Sequence, residues 1–297
     1  MDRRIKGSLL VFASALCWSF SGVLGKNLSW NGLSKTGVRA VVAVLIYAAY
    51  RKSFKVKLSK SPLVGALGVF LTSLLYMLAL TMTTSANAIV LQYSMPVYVV
   101  LINYLAFRIK PGIKQLIALP LLLAGVALCC ISGSVGGQKL PNARWGNALA
   151  LLSGFTFSLV FVAGRMKGAD SVDYTYFGNC LSMLLVFSAL LDPNVRFGFD
   201  GETLGDWALI LLMGVSLGMG YLLLGIGLRT ASPVSAAILE NLEPALNPVW
   251  VFLFLGERPG TPGIIGCLIV LFTVTVYSAL PEGKRKRKIS AETKNEF

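Results

Sequence analysis

Residues 227–260, GLRTASPVSAAILENLEPALNPVWVFLFLGERPG, lie over residues 79–112, ALTMTTSANAIVLQYSMPVYVVLINYLAFRIKPG, at a constant offset of 148. Leu80 meets Leu228, Ala88 meets Ala236, Leu91 meets Leu239, Pro96 meets Pro244, and Pro111–Gly112 meets Pro259–Gly260. A second pair extends the match. Residues 7–26, GSLLVFASALCWSFSGVLGK, lie over residues 146–165, GNALALLSGFTFSLVFVAGR, at an offset of 139. Here Gly7 meets Gly146, Trp18 meets Phe157, Ser19 meets Ser158, Gly25 meets Gly164, and Lys26 meets Arg165. The nine extra residues fit in the polar stretch 194–204, a loop where insertion is tolerated. One unit is therefore used twice.

The units are too apolar for a soluble domain. Of the 297 residues, 55% are hydrophobic and 13% charged, and the mean hydropathy is +0.71. A bilayer core of about 30 Å takes roughly 20 helical residues to cross. Ten apolar runs meet that length: 7–28, 33–50, 62–82, 85–107, 113–131, 145–164, 174–191, 205–228, 233–255 and 262–279. They are continuous rather than alternating, which selects helices over barrel strands. The expected fold is an all-α polytopic membrane protein. A first five-helix repeat falls in residues 1–140, a second in 141–281, and a basic tail in 282–297. Five is odd, so the second repeat enters the membrane from the opposite side. Such an inverted repeat is typical of secondary transporters, with a site at the midplane exposed to each side in turn.

Charge sets the orientation. With ten crossings and the N-terminus inside, 20 of the 27 Lys and Arg residues fall on cytoplasmic segments. Both termini are then cytoplasmic. The first run is too long for a signal-peptide core and lacks a clean cleavage motif, so it reads as a retained helix. The net charge of +14 is explained by this bias and by the tail KRKRK (284–288), a topology anchor that can touch anionic lipid, and implies no nucleic-acid partner. The five cysteines, Cys17, Cys129, Cys130, Cys180 and Cys267, lack metal-ligand spacing and read as small core residues. Histidine is absent, so proton chemistry falls to carboxylates. No metal or cofactor is expected.

The stretch ILENLEPALNPVW (238–250) carries the chemistry. Glu240, Glu243 and Asn247 fall at i, i+3 and i+7 on one face of the ninth run, with Asn241 and Pro248 on an adjacent stripe. Each acid at bilayer depth costs roughly 2.5–3.5 kcal/mol. Protonation relieves both that cost and the mutual repulsion, which is the starting condition for proton coupling. The same carboxylates could hold a cationic group of a solute. Pro244 lacks an N–H and crowds the carbonyl of Glu240, and Pro248 crowds that of Pro244. Kinks are therefore expected at Pro96, Pro244 and Pro248, with carbonyls freed near the carboxylates. The first-repeat partner of Glu240 is Gln92, expected to face a common cavity with it. Trp18 reads as a cavity wall or a packed aromatic. Tyr76 and Tyr93 offer an apolar body with a hydroxyl tip, for the site or for the core. Lys26 and Arg39 lie near the outer interface, where snorkelling is expected. Glu257 reads as a solvated ion at a helix end.

The run CWSFSGVLGK (17–26), the paired segments ending at Pro96 and Pro244, and the stretch from Leu242 to Gly260 resemble the drug/metabolite transporter superfamily, in its ten-helix group of EamA-like permeases. The likeness covers about residues 7–280. Its first half ends AFRIKPG where the family often has an LGE-like ending, so Glu257 has no acidic twin. The resemblance implies a transporter of a small organic solute (a metabolite, amino acid or drug-like compound) working by alternating access. Export coupled to protons through Glu240 and Glu243 is the leading expectation, in a prokaryotic cytoplasmic membrane, as a monomer or homodimer among lipids. An uncoupled exchanger or importer is the alternative. An intramembrane enzyme using a carboxylate pair is more remote: no histidine, no G-x-S-x-G elbow and no nucleotide-binding GxxxxGK[ST] occurs.

Overall fold

A computed structural model describes residues 3–20, 24, 28–52, 60–83, 85–133, 142–198, 200–255 and 261–279. The basic tail, Lys26 and Glu257 lie outside the described residues, as do the side chains of Asn247, Pro248, Cys129 and Cys130. Among the described residues the ordered elements are all helical. The first repeat holds α1 (Arg3–Ser19), α2 (Gly32–Arg51), α3 (Lys60–Met82), α4 (Ser85–Gln92), α5 (Met95–Phe107) and α6 (Ile113–Gly133). The second holds α7 (Ala143–Ala163), α8 (Ser171–Met183), which runs on into a 3-10 segment (Leu184–Leu190), α9 (Gly201–Leu228), α10 (Pro233–Glu240), α11 (Leu242–Leu255) and α12 (Thr261–Ala279).

The starts of these helices follow from short polar side chains. Asn31, Asp200 and Ser232 each accept a bond from the backbone N–H three residues on, capping α2, α9 and α10. Pro233 then occupies the first turn of α10, where no N–H is needed. Four helices, α2, α3, α7 and α9, each contain a stretch long and apolar enough to cross a bilayer alone. The fourth and ninth apolar runs cross as broken pairs, α4 with α5 and α10 with α11. The outward surface is apolar: Phe187, Leu190, Leu191, Leu105 and Phe272 are all well exposed, while Ser14, Gln92, Glu240 and Asn241 are buried. That distribution suits hydrocarbon outside and a polar interior.

The packing repeats with the sequence. The first helix of each repeat lies on the third of the other, as α1 on α9 and α7 on α3. The second helices pack on each other and on the third helices, and the fifth pack together as α6 on α12. Equivalent glycines make equivalent contacts. A Cβ on Gly7 would fall 2.9 Å from the Ala231 nitrogen, and one on Gly146 2.8 Å from the Thr83 nitrogen. Gly7 and Gly146 differ by 139, and Thr83 and Ala231 by 148, the two offsets of the sequence repeat. The repeat is thus expressed in backbone contacts, where only a residue without a Cβ fits.

Two ion pairs tie α8 to its neighbours at one end. Arg229, just past α9, donates from Nη2 to both oxygens of Asp170, each at 2.8 Å, and Arg51 at the end of α2 meets Asp173 at 2.8 Å. Asp170 also caps α8 through the N–H groups of Val172 and Asp173. Partial burial pushes the Asp170 carboxyl up, but Arg229 and those N–H groups outweigh it and hold the group below its usual range. A carboxyl held low stabilises the fold above its unfolded pKa, and loses that contribution as pH falls through the folded value. Asp170→Asn should therefore lower the melting temperature in detergent at neutral pH, by an effect of no more than about 1 kcal/mol for so exposed a pair. The difference from the parent should vanish in acid. An unchanged difference across that range would show that the pair contributes nothing electrostatic.

Candidate functional site

The interruptions in the paired helices sit where proline chemistry places them. Pro96 and Pro244 remove the N–H that would bond four residues back, and their rings crowd that carbonyl. α4 ends at Gln92 and α10 ends at Glu240, each four residues ahead of its proline. At the second break the chain tightens to a 3-10-type turn, with the Asn241 nitrogen bonded to the Ile238 carbonyl at 3.2 Å. The Asn241 side chain bonds back to the Ala237 carbonyl at 2.9 Å and satisfies a helix-end acceptor. The expected kink at Pro248 does not interrupt the helix, since α11 stays helical through it. A lone proline leaves the rest of a ladder intact where neighbours hold the helix, as at Pro120 inside α6.

The two breaks meet. Tyr93, at the first, donates its hydroxyl to Glu243 Oε2 at the second. Tyr93 is the repeat counterpart of Asn241, two positions before Glu243, so the bond joins the break of one half to the break of the other. Glu240 is 0% exposed, and its Oε1 accepts from Ser14 of α1, while Oε2 is buried without a partner. Asn241 Oδ1 is likewise buried and unmet. Glu240 and Glu243 therefore straddle the break, each claimed by a different element, instead of lining one continuous helical face. Gln92 is buried nearby in sequence at the end of α4, but the hydroxyls of Ser14 and Tyr93, not its amide, take the two carboxyls.

Aromatic rings and one cation surround these acids. Trp18 is buried against Tyr221 at 4.8 Å between ring centres and against its repeat partner Phe157 at 5.7 Å. A Cβ on Gly220 would fall 2.1 Å from Trp18 Nε1, so the glycine makes room for the indole. Tyr76, on α3, is half-buried and within electrostatic reach of Tyr93 and Arg39. At the end of α1, Trp250 of α11 donates to Ser19 Oγ at 2.7 Å and stacks on Phe20.

Arg39 corrects the sequence expectation. It was placed at the outer interface, yet it is 6% exposed and lies within electrostatic reach of Glu243, Tyr76 and Tyr221. α2 begins at Gly32, so Arg39 sits two turns inside, about 10 Å along the axis. Its face of α2 is the buried one, with Thr36, Ala40, Ala43 and Tyr47. Counting residues from a loop cannot tell which face of a helix a side chain takes. Ser14, Tyr221 and Arg39 are the site residues that sequence alone missed. Only Arg39 left a signal, a fixed charge within an apolar run.

Glu240 is fully buried and Glu243 partly so. A cavity of about 420 Å³ lies elsewhere, between Ser29 and the segment that includes Pro193, Asn194, Arg196, Glu202 and Asp206. None of the acid-site residues lines it. Among the described residues no cluster of His, Cys, Asp or Glu is grouped to hold a metal.

A model of the EamA-like transporter family matches the chain twice, over residues 5–131 and 144–279. The chain is 25% identical to an uncharacterized transporter of Clostridium kluyveri, over 96% of this chain and 97% of that one. It is 25% identical to the uncharacterized inner membrane transporter YicL of Salmonella typhimurium, over 92% and 95%. An uncharacterized transporter of Archaeoglobus fulgidus is 24% identical over 91% and 95%. One crystal structure superposes with a TM-score of 0.77 over 91% of this chain and 95% of its own, at 16% identity, a likeness of fold alone.

Proposed function

We propose the following for this chain, which belongs to the EamA-like transporter family and is an integral membrane protein: it exports a small organic solute by alternating access, driven by proton entry through Glu240 and Glu243. The observation that carries the coupling is the carboxyl of Glu240. It is fully buried, is bonded on one oxygen by Ser14, and has no partner on the other. Such a group is stable at bilayer depth when protonated or when a cation meets the open oxygen. Glu243 differs, because Tyr93 donates to its Oε2 and the Arg39 charge lies within electrostatic reach. Within that pair we assign Glu240 as the principal proton site, with Glu243 held between Tyr93 and the nearby Arg39 charge.

The helix breaks supply the movement. Two half-helices joined at a bend can tilt separately, and the bends of the two repeats touch at Tyr93 and Glu243. Repeats of opposite orientation, 1–140 and 141–281, would then exchange conformations, with both termini and the tail 282–297 on the cytoplasmic side of the cell membrane. In that orientation the ion pairs Arg51–Asp173 and Arg229–Asp170 would fall on the cytoplasmic side, and the cavity near Ser29 on the other.

Uptake into inside-out proteoliposomes tests this. A panel of metabolites, amino acids and drug-like compounds is offered with and without a proton gradient that is acid inside. At least one solute should accumulate several-fold more with the gradient. Flux that ignores the gradient would replace coupling by facilitated exchange. Conversion of a solute without flux would end the transporter reading.

A further inference from the structure

Arg39 has donors that the coupling scheme does not use. Its Nη2 donates to Ser73 Oγ at 2.7 Å, and its Nε is buried with no partner. The ion pairs formed within 4 Å among the described residues join other groups, so no described carboxylate closes on this guanidinium. Glu243 is within electrostatic reach but has its own bond to Tyr93. Arginine stays charged in proteins, and a buried guanidinium without a bonded anion carries a large desolvation cost. Its remaining donors form a planar fork that suits a carboxylate.

The approach to it is also cationic. Lys35 lies one turn nearer the N-cap on the same side of α2, half-buried, and in reach of both Arg39 and Asp192. Asp192 adjoins Pro193 and Asn194, which line the 420 Å³ cavity. Two like charges in succession repel each other until an anion comes between them. Past Arg39 stands Tyr221, packed edge-on against Trp18, an apolar wall for the body of a ligand.

We propose that Arg39 binds a carboxylate of the transported solute, with Trp18 and Tyr221 against the solute's apolar part. This deepens the transport reading and rests on it. The purified chain in detergent is titrated with two matched sets: butanoate, butanamide and butylammonium, and 3-phenylpropionate, 3-phenylpropionamide and 3-phenylpropylammonium. Tryptophan fluorescence reports binding. In at least one set the carboxylate should bind about tenfold or more tighter than its amide or its ammonium. Arg39→Gln should erase that preference, with thermal melting of the unliganded variant checking that the fold is retained. Arg39→Lys keeps the charge, loses the fork and should hold part of the preference; it decides the matter if Arg39→Gln does not fold. The proposal is overturned if amide or ammonium binds as tightly as carboxylate, if neither carboxylate binds, or if Arg39→Gln keeps the preference. Vesicle flux separates the two readings. Arg39-dependent carboxylate binding with no flux of any solute sinks transport and leaves the site. Solute flux unaffected by Arg39→Gln sinks the site and leaves transport.

Discussion

Glu240→Gln loses gradient-driven flux and retains the fold. The amide matches the carboxyl in shape, and its oxygen can still accept from Ser14, so the melting temperature should move by less than the equivalent of about 1 kcal/mol. What the amide lacks is a proton that can leave. Accumulation against a solute gradient should fall by at least about tenfold, to the level of exchange without coupling. Counterflow of solute between equal pools, which needs no net proton movement, should persist. Glu243→Gln should act differently. Tyr93 can still donate to the amide oxygen, but Arg39 loses its nearest negative charge. Coupled flux should fall, with the protein less stable than Glu240→Gln because a buried cation is left uncompensated. The measurement is gradient-driven uptake and counterflow on the same vesicle preparations. If both variants accumulate solute as the parent does, neither glutamate carries the proton.

Gly37→Ala should cost more stability than any other single methyl group added to α2. An added Cβ would fall 2.2 Å from the Val186 nitrogen and 2.3 Å from the Leu185 carbonyl carbon. These are backbone atoms of the 3-10 segment Leu184–Leu190, and no side-chain rotation can relieve the overlap. Overpacking of this kind costs about 1–3 kcal/mol, and the upper end applies where backbone must move. The control is Gly205→Ala in α9, where nothing lies within 4 Å of the added Cβ. Alanine gains up to about 1 kcal/mol of helix propensity there. Thermal unfolding in detergent should separate the two substitutions clearly. If Gly37→Ala melts with the parent, α2 does not rest on the 3-10 segment as described.

Much of the architecture was legible because it depends on local chemistry. Length and hydropathy select a spanning helix whatever surrounds it. Pro96 and Pro244 forbid a bond to the carbonyl four residues back wherever they stand, so both breaks could be placed before any contact was known. The seventh run, 174–191, is α-helical to Met183, and its remainder winds as a 3-10 segment. The first run is expected to reach residue 28; α1 covers it to Ser19, Leu24 is helical again, and residues 21–23 and 25–27 lie outside the described residues.

Sequence by itself determined that one five-helix unit occurs twice, that its fourth helix is broken at proline, and that the second copy adds Glu240 and Glu243 at the break. Those properties belong to short stretches of chain or to their comparison. Only the tertiary structure decided who meets the acids. Ser14 reaches Glu240 across 226 positions and Tyr93 reaches Glu243 across 150. It also turned Arg39 from a residue near an edge into a buried cation beside Ser73 and Tyr221. The physical reason is that a buried charge takes its state from the groups that surround it in space. Those groups come from several helices, and no stretch of sequence contains them together.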